Sequence, residues 1–234
     1  MDPGSDLVRT HVLNVTQEIV KNYDIDGMHI DDYFYPYNDG TDFPDSLTYT
    51  AYKNGGGTMA KNDWRRENVN KMVSGMYSLI KSIKPLVQFG ISPFGIWRPG
   101  NPAGIVGMDA YDQIFADSKK WLQSGWLDYF TPQLYWEIDP TVQSFYNLLK
   151  WWCEQNTKNK LIVPGTALYK MEAPNNWSSL ELKRQIDITR TFRNISSFGA
   201  THFTMNQILR DVKGIKTVLK TAYTQPVLTP LIRV

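Results

Sequence analysis

Asp31 and Asp32 close a run of otherwise apolar and aromatic residues, Met28-His29-Ile30-Asp31-Asp32-Tyr33-Phe34-Tyr35. Adjacent acids in such a run are costly unless they are paired or functional. A third acid, Glu137, ends Pro132-Gln133-Leu134-Tyr135-Trp136-Glu137. Read as strands, the period of two puts His29 and Asp31 on one face, with Met28, Ile30 and Asp32 on the other. It groups Gln133, Tyr135 and Glu137 in the same way, opposite Leu134 and Trp136. If the two acid-bearing faces share a cleft, Glu137 meets Asp31. Two carboxylates across a cleft are what glycoside hydrolysis requires: one protonates the leaving oxygen and the other attacks or activates water. Asp31 and Glu137 are therefore the expected catalytic pair, and Asp32 replaces Asp31 if the strand facing slips by one residue.

Blander roles compete with these. Asp26 before Gly27 reads as a turn former, and Asp24 as a solvated strand entry. Glu137 has an alternative as a cap for the helix that Asp139-Pro140 begins. His29 is either a core histidine donating to backbone or an orienter of Asp31, and His11 and His202 read as structural. With 8 Trp and 13 Tyr, the chain has aromatic faces for stacking on pyranose rings, although burial explains many of them equally well. The candidate platform is Tyr33, Tyr35, Trp97, Trp136 and Tyr169, with Arg98, Gln133, Asn206 and Gln207 as hydrogen-bonding groups. His29 and Tyr135 complete the candidate substrate-binding set. For Trp97-Arg98, stacking on substrate competes with packing of the loop.

The elements that must hold these residues alternate. A helix with apolar positions from Leu7 to Val20, capped by Ser5 or Asp6, leads into the acidic run. Thr41 to Met59, with Gly55-Gly56-Gly57, reads as a long loop. A helix from about Asn62 to Ile83 stops before Pro85, and the strand Leu86 to Phe94 follows. The unit recurs as helix Tyr111 to Gln123 with strand Leu127 to Tyr135, then helix Thr141 to Gln155 with strand Lys160 to Leu168. A helix from Leu180 to Ser196 precedes strand Ala200 to Met205, and a last helix covers Ile208 to Tyr223. Continuous apolar strands alternating with helices imply a parallel sheet covered by helices. Asp31, Asp32, Ser92, Glu137, Tyr169 and Asn206 fall at or just past strand C-termini, where (β/α)8 barrels build their active sites. The expected fold is thus α/β, of the TIM-barrel type. No Gly-x-Gly-x-x-Gly or Walker signature follows a strand, which argues against a nucleotide-binding sheet.

Composition narrows the partners. Lys and Arg number 25 against 23 acids, so no broad positive field invites nucleic acid or anionic membrane. No apolar run approaches the roughly 20 residues of a spanning helix, nor does the N-terminus carry a signal-peptide core, so membrane insertion is not expected. Cys153, the single cysteine, sits in Trp151-Trp152-Cys153 and reads as a packed thiol. No cofactor or metal is expected for two-carboxylate chemistry, and carbohydrate is the expected partner. Two other readings stand beside it. His29, Asp31 and Asp32 ligating a divalent cation would give a metal-dependent polysaccharide deacetylase, and aromatics without bond cleavage would give a non-catalytic carbohydrate-binding barrel.

The motifs YDIDGMHIDDYFYP, FGISPFGIWRPG, LDYFTPQLYWE and Ala167-Leu168-Tyr169 resemble the successive strand motifs of the bacterial glycosyl-hydrolase-like family 10 over nearly the whole chain. Members of that family are predicted (β/α)8 glycosidases, distantly similar to the α-amylase and α-galactosidase barrels in which an Asp ends the fourth strand. The resemblance implies Asp31 as nucleophile or base, Glu137 as acid, and a catalytic mouth on strands four to eight. It also implies a bacterial cell-envelope or secreted setting for the full-length protein. Against the family pattern, the motifs of strands one to three are missing ahead of Met1-Asp2-Pro3-Gly4. Residues 1–234 are therefore expected to form one domain holding only the last five strand-helix units of a barrel, open at its edges and prone to self-association.

Overall fold

A computed structural model describes residues 1–37, 39–193, 197 and 199–225. Helix α1 (Asp6–Asn22) carries Asp6 in its first turn and Lys21 in its last, charges that complement the helix dipole. It delivers the chain to strand β1 (Gly27–Ile30), after which come α2 (Ser46–Asn54) and α3 (Lys61–Ile83). Strand β2 (Gln88–Ile91) is followed by two short helices, α4 (Ala110–Gln113) and α5 (Ser118–Ser124), and then β3 (Tyr129–Phe130). Helix α6 (Phe145–Gln155) leads to β4 (Leu161–Ile162) and β5 (Gly165–Ala167). The chain continues through α7 (Ser179–Thr191), β6 (Thr201–Phe203), α8 (Met205–Leu209) and α9 (Ile215–Ala222).

All strand pairs are parallel and consecutive in chain order: β1–β2–β3–β4 in one sheet and β5–β6 in a second. Isolated bridges Gln133 to Gly165 and Ile162 to Ser197 carry the pairing from one sheet to the other. The expected α/β alternation with a parallel sheet is what the chain adopts. One face of the sheet is dry. Phe89, Ile91, Phe130 and Ile162 pack there against Val20, Val73 and Ile80 of α1 and α3, Trp121 of α5 and Trp152 of α6. A smaller core joins Ala167, Leu168 and Met171 to Trp177, Leu182 and Ile215. The opposite face carries His29 and Asp31, both exposed.

Several expected elements differ. The loop Thr41 to Met59 contains α2, whose C-terminus Gly55 closes. The helix expected over Tyr111 to Gln123 is broken: Phe115 takes a positive φ of 54°, and Asp117 starts α5 by accepting from the Lys120 N–H. Thr141 to Gln155 divides into a 3-10 turn (Thr141–Gln143) and α6, with the Ser144 hydroxyl as N-cap. The strand Lys160 to Leu168 is interrupted at Pro164, which has no N–H to give to a ladder. Its expected last residue opens a 3-10 turn (Leu168–Met171). Helix Leu180 to Ser196 ends at Thr191 as α7, and residues 194–196 lie outside the described residues. The last helix is split into α8, a 3-10 turn (Val212–Gly214) and α9, with Asp211, Lys213 and Gly214 at positive φ between them.

Candidate active site

The exposed face of the sheet is organised in register. His29 pairs with Gly90 and Gly90 with Tyr129 across β1, β2 and β3, so the layer has a side-chain gap at its middle. Tyr129 fills that gap by lying over Gly90, where a Cβ would stand 1.9 Å from its ring. The ring stacks on His29 at 5.5 Å and 19°, and the Tyr129 hydroxyl is 3.0 Å from His29 Nδ1. One layer further towards the strand C-termini, Ser92 Oγ lies 2.8 Å from His29 Nε2 and donates to Asp31 Oδ1 at 2.9 Å. Gln133 Nε2 donates to the same Asp31 oxygen at 2.9 Å and to the Ser92 carbonyl at 2.9 Å. Asp31 Oδ1 therefore accepts two hydrogen bonds, and among the described residues no side chain or N–H is seen donating to Oδ2.

Asp32 points the other way. It is 3% exposed and accepts from the Tyr37 hydroxyl. Burial pushes its carboxyl above the usual carboxylate range and the Asp31 charge adds to this, while the bond from Tyr37 pulls it back. The Tyr37 hydroxyl is raised in turn, by burial first and then by its bond to Asp32. Partial desolvation of its ring lowers His29 against the opposing pull of Asp31, although the side chain keeps an exposed edge. The Tyr135 phenol is raised by burial and then by the charge of Asp31.

Of the residues expected from sequence, the structure gathers His29, Asp31, Gln133 and Tyr135 on one face, with Asp32 directly behind. Tyr135 extends this group to Tyr169, edge-on at 6.1 Å, and to Phe203, stacked at 6.0 Å and 18°. Glu137 is exposed beyond Tyr135, and its charge acts on Lys170, whose Nζ donates to the Tyr135 carbonyl at 2.5 Å. Tyr33 is exposed and edge-on to Tyr37 at 5.9 Å. Asn206 is exposed on α8, whereas Gln207 is buried, closes a capping box with Thr204 and donates to Glu172.

Three expected sugar-binding residues are engaged elsewhere. Tyr35 is 1% exposed, held between Phe43 and Phe115 with ring centres 5.0 Å away on each side, and has no face to offer a ligand. Trp97 stacks on Trp151 at 6.0 Å and gives its Nε1–H to Asp117, so the loop-packing role describes it. Arg98 is held by Asp109 and Asp112 with its guanidinium over Tyr111. Trp136 is partly buried, edge-on to Phe94 at 5.6 Å.

Tyr129, Tyr37 and Phe203 join this candidate site without any local sequence pattern that selects them, and Ser92 reads in sequence only as a strand-end polar residue. The available signal was Gly90 inside an apolar strand, since an isolated strand glycine marks close approach of another group. Both His29 nitrogens face hydroxyls, and among the described residues no three His, Cys, Asp or Glu side chains gather as a cation site. Among the described residues no helix is long and apolar enough to cross a membrane.

The fold is similar to a solved glycoside hydrolase domain, that of PgaB (BpsB) from Bordetella bronchiseptica. The TM-score is 0.63 at 10% identity, over 97% of this chain and 65% of that one. Glycosyl hydrolase YngK of Bacillus subtilis is 39% identical over 97% of this chain and 46% of its own length. Glycosyl hydrolase DigH of Escherichia coli K12 is 37% identical over 84% of this chain and 47% of its own length. The chain thus spans about half the length of these curated relatives. The family described as glycosyl hydrolase-like 10 matches residues 1–180, which include Asp31, Asp32, Ser92, Gln133 and Glu137. On this match and these identities, the chain belongs to the glycosyl hydrolase-like 10 family.

Proposed function

We propose that the exposed face of the sheet cleaves O-glycosidic bonds of an oligosaccharide or polysaccharide, with Asp31 as nucleophile or base and Glu137 as general acid. The observation that carries this reading is the state of Asp31: one oxygen is fixed by Ser92 and Gln133, while the side chain remains exposed at the strand C-termini. A carboxylate oriented in this way presents a defined lone pair to an anomeric carbon or a water. Tyr169 and Phe203, 38% and 50% exposed, supply apolar faces beside it for a sugar ring. Glu137 follows Tyr135 by two residues in the segment after β3, and its charge acts on Lys170. Asp32 acts behind Asp31 as a buried acid rather than as the attacking group.

The metal-dependent deacetylase reading lacks this support, because His29 directs both nitrogens at hydroxyls. The architectural part of the proposal is that β1 to β6, with β4 and β5 as two pieces of one strand interrupted at Pro164, form the strand 4–8 arc of a (β/α)8 barrel, which the consecutive parallel order supports. An envelope or secreted setting, and self-association through the β1 and β6 edges, belong to the same proposal. Incubation with a glycan panel, scored for both binding and newly released reducing ends, tests the function. Release of reducing ends that Asp31→Asn abolishes supports cleavage, whereas binding without product favours a non-catalytic barrel.

A further inference from the structure

We propose that Tyr129, His29 and Ser92 form a one-way hydrogen-bond relay whose role is to fix the orientation of Asp31, which makes all three positioning residues for the reaction. The inference rests on the glycosidase reading for its purpose but not for its geometry.

The direction of the relay follows from where protons can sit. An ionised carboxylate only accepts, so the single Ser92 hydroxyl proton is committed to Asp31 Oδ1. Ser92 Oγ must then accept from its other neighbour, and that neighbour is His29 Nε2 at 2.8 Å. His29 therefore carries its proton on Nε2. A neutral imidazole with Nε2–H presents a bare lone pair at Nδ1, and the Tyr129 hydroxyl at 3.0 Å is the donor that fills it. Partial desolvation of the ring between Tyr129 and Ser92 favours this neutral form, although one edge of His29 stays exposed. Each step fixes the next, from Tyr129 O–H to Nδ1, from Nε2–H to Ser92 Oγ, and from Ser92 O–H to Asp31. Chains of this kind strengthen one another in a low-dielectric setting.

The strands supply the rigidity. His29, Gly90 and Tyr129 are in register, and only a residue without a side chain at position 90 lets the Tyr129 ring cross to His29. The result is asymmetry at Asp31: two donors meet at Oδ1, so rotation of the carboxylate breaks two bonds at once. Among the described residues Oδ2 has no donor, which leaves it to the reacting groups. An Asp at a strand end without such bracing would sample both orientations, and small misplacements of reacting groups cost large factors in rate.

The test reads the His29 tautomer by nitrogen-15 NMR of this chain at a pH where the ring is neutral, together with steady-state kinetics of the active protein. The expected wild-type spectrum shows a protonated Nε2 and a bare Nδ1. Asp31→Ala frees the Ser92 proton to turn back on Nε2, so the population should move towards the Nδ1–H tautomer. Ser92→Ala should do the same, and Ser92→Thr should restore the wild-type signature. In kinetics, Ser92→Ala should lower kcat by about 10- to 100-fold with KM within about two-fold, with most of kcat recovered in Ser92→Thr. A wild-type Nδ1–H tautomer, a tautomer indifferent to Asp31→Ala, or an unchanged kcat in Ser92→Ala overturns the relay. Failure of the glycosidase reading has a different signature, namely Asp31→Asn retaining wild-type turnover while the tautomer still responds.

Discussion

Asp31 and Asp32 are consecutive in the chain and end in opposite environments: Asp31 is exposed on the open face of the sheet, while Asp32 is 3% exposed with the Tyr37 hydroxyl donating to it. The alternation of a strand produces this split, and it separates the roles of the two acids. Asp31 can meet a substrate. Asp32 can only act on what surrounds it.

The raised Asp32 carboxyl has a signature in stability. Its folded pKa lies above the unfolded value, so the folded state holds the proton more tightly. The stabilisation is complete below the ordinary carboxylate range and is lost as pH rises through the raised folded value. Asp32→Asn removes this titration while keeping an acceptor for Tyr37. The difference in melting temperature, variant minus wild type, should therefore grow more positive from acid to neutral pH, and thermal scans across pH measure it.

Gly90 is required by the ring that covers it. Gly90→Ala places a methyl 1.9 Å from the present position of the Tyr129 ring, and that ring must leave. The variant should fold, since Tyr129 is only half-buried, but lose the contact to His29. Loss of the His29 tautomer preference together with a fall in kcat of about 10-fold or more is the expected outcome.

The aromatic residues should separate into two groups. Tyr35→Ala empties a fully buried site and should cost about 3–5 kcal/mol in denaturant unfolding. Tyr169→Ala and Phe203→Ala remove partly exposed rings and should lower affinity for oligosaccharide by calorimetry with little change in stability.

This division shows where the sequence was readable. The period of two placed His29 and Asp31 together on the open face and Met28, Ile30 and Asp32 behind, because β1 is regular up to Ile30. The alternation of exposed and buried residues runs on past β1 as far as Phe34 and stops at Tyr35, which reads as a platform residue although the chain turns it into the core. Trp97 and Arg98 misled for a related reason: their partners Asp109, Asp112, Asp117 and Trp151 come from later segments and carry no local pattern. Tyr129 needed the register of three strands to be recognised. Helix breaks at Phe115 and around Lys213 depend on positive φ at non-glycine residues, which residue type does not announce.

Asp128 is the buried acid at the opposite end of the strands. It is fully buried, accepts from the Phe89 N–H at 2.8 Å and pairs with Lys81 at 2.5 Å. Asp128→Ala leaves that partly buried ammonium without its counter-charge and should cost about 3–5 kcal/mol. Unfolding by urea measures this.

The central claim is that Asp31 is the attacking or activating carboxylate and Glu137 the acid of a glycoside-cleaving site. The most direct measurement is reducing-end release from a cleaved glycan by the protein and its Asp31→Asn and Glu137→Gln variants, each checked for an unchanged melting temperature. Both variants should lose turnover by about 10²-fold or more, since acid-base terms alone contribute roughly 10² to 10⁴. A variant at position 31 or 137 that folds normally and releases reducing ends at the wild-type rate contradicts the account.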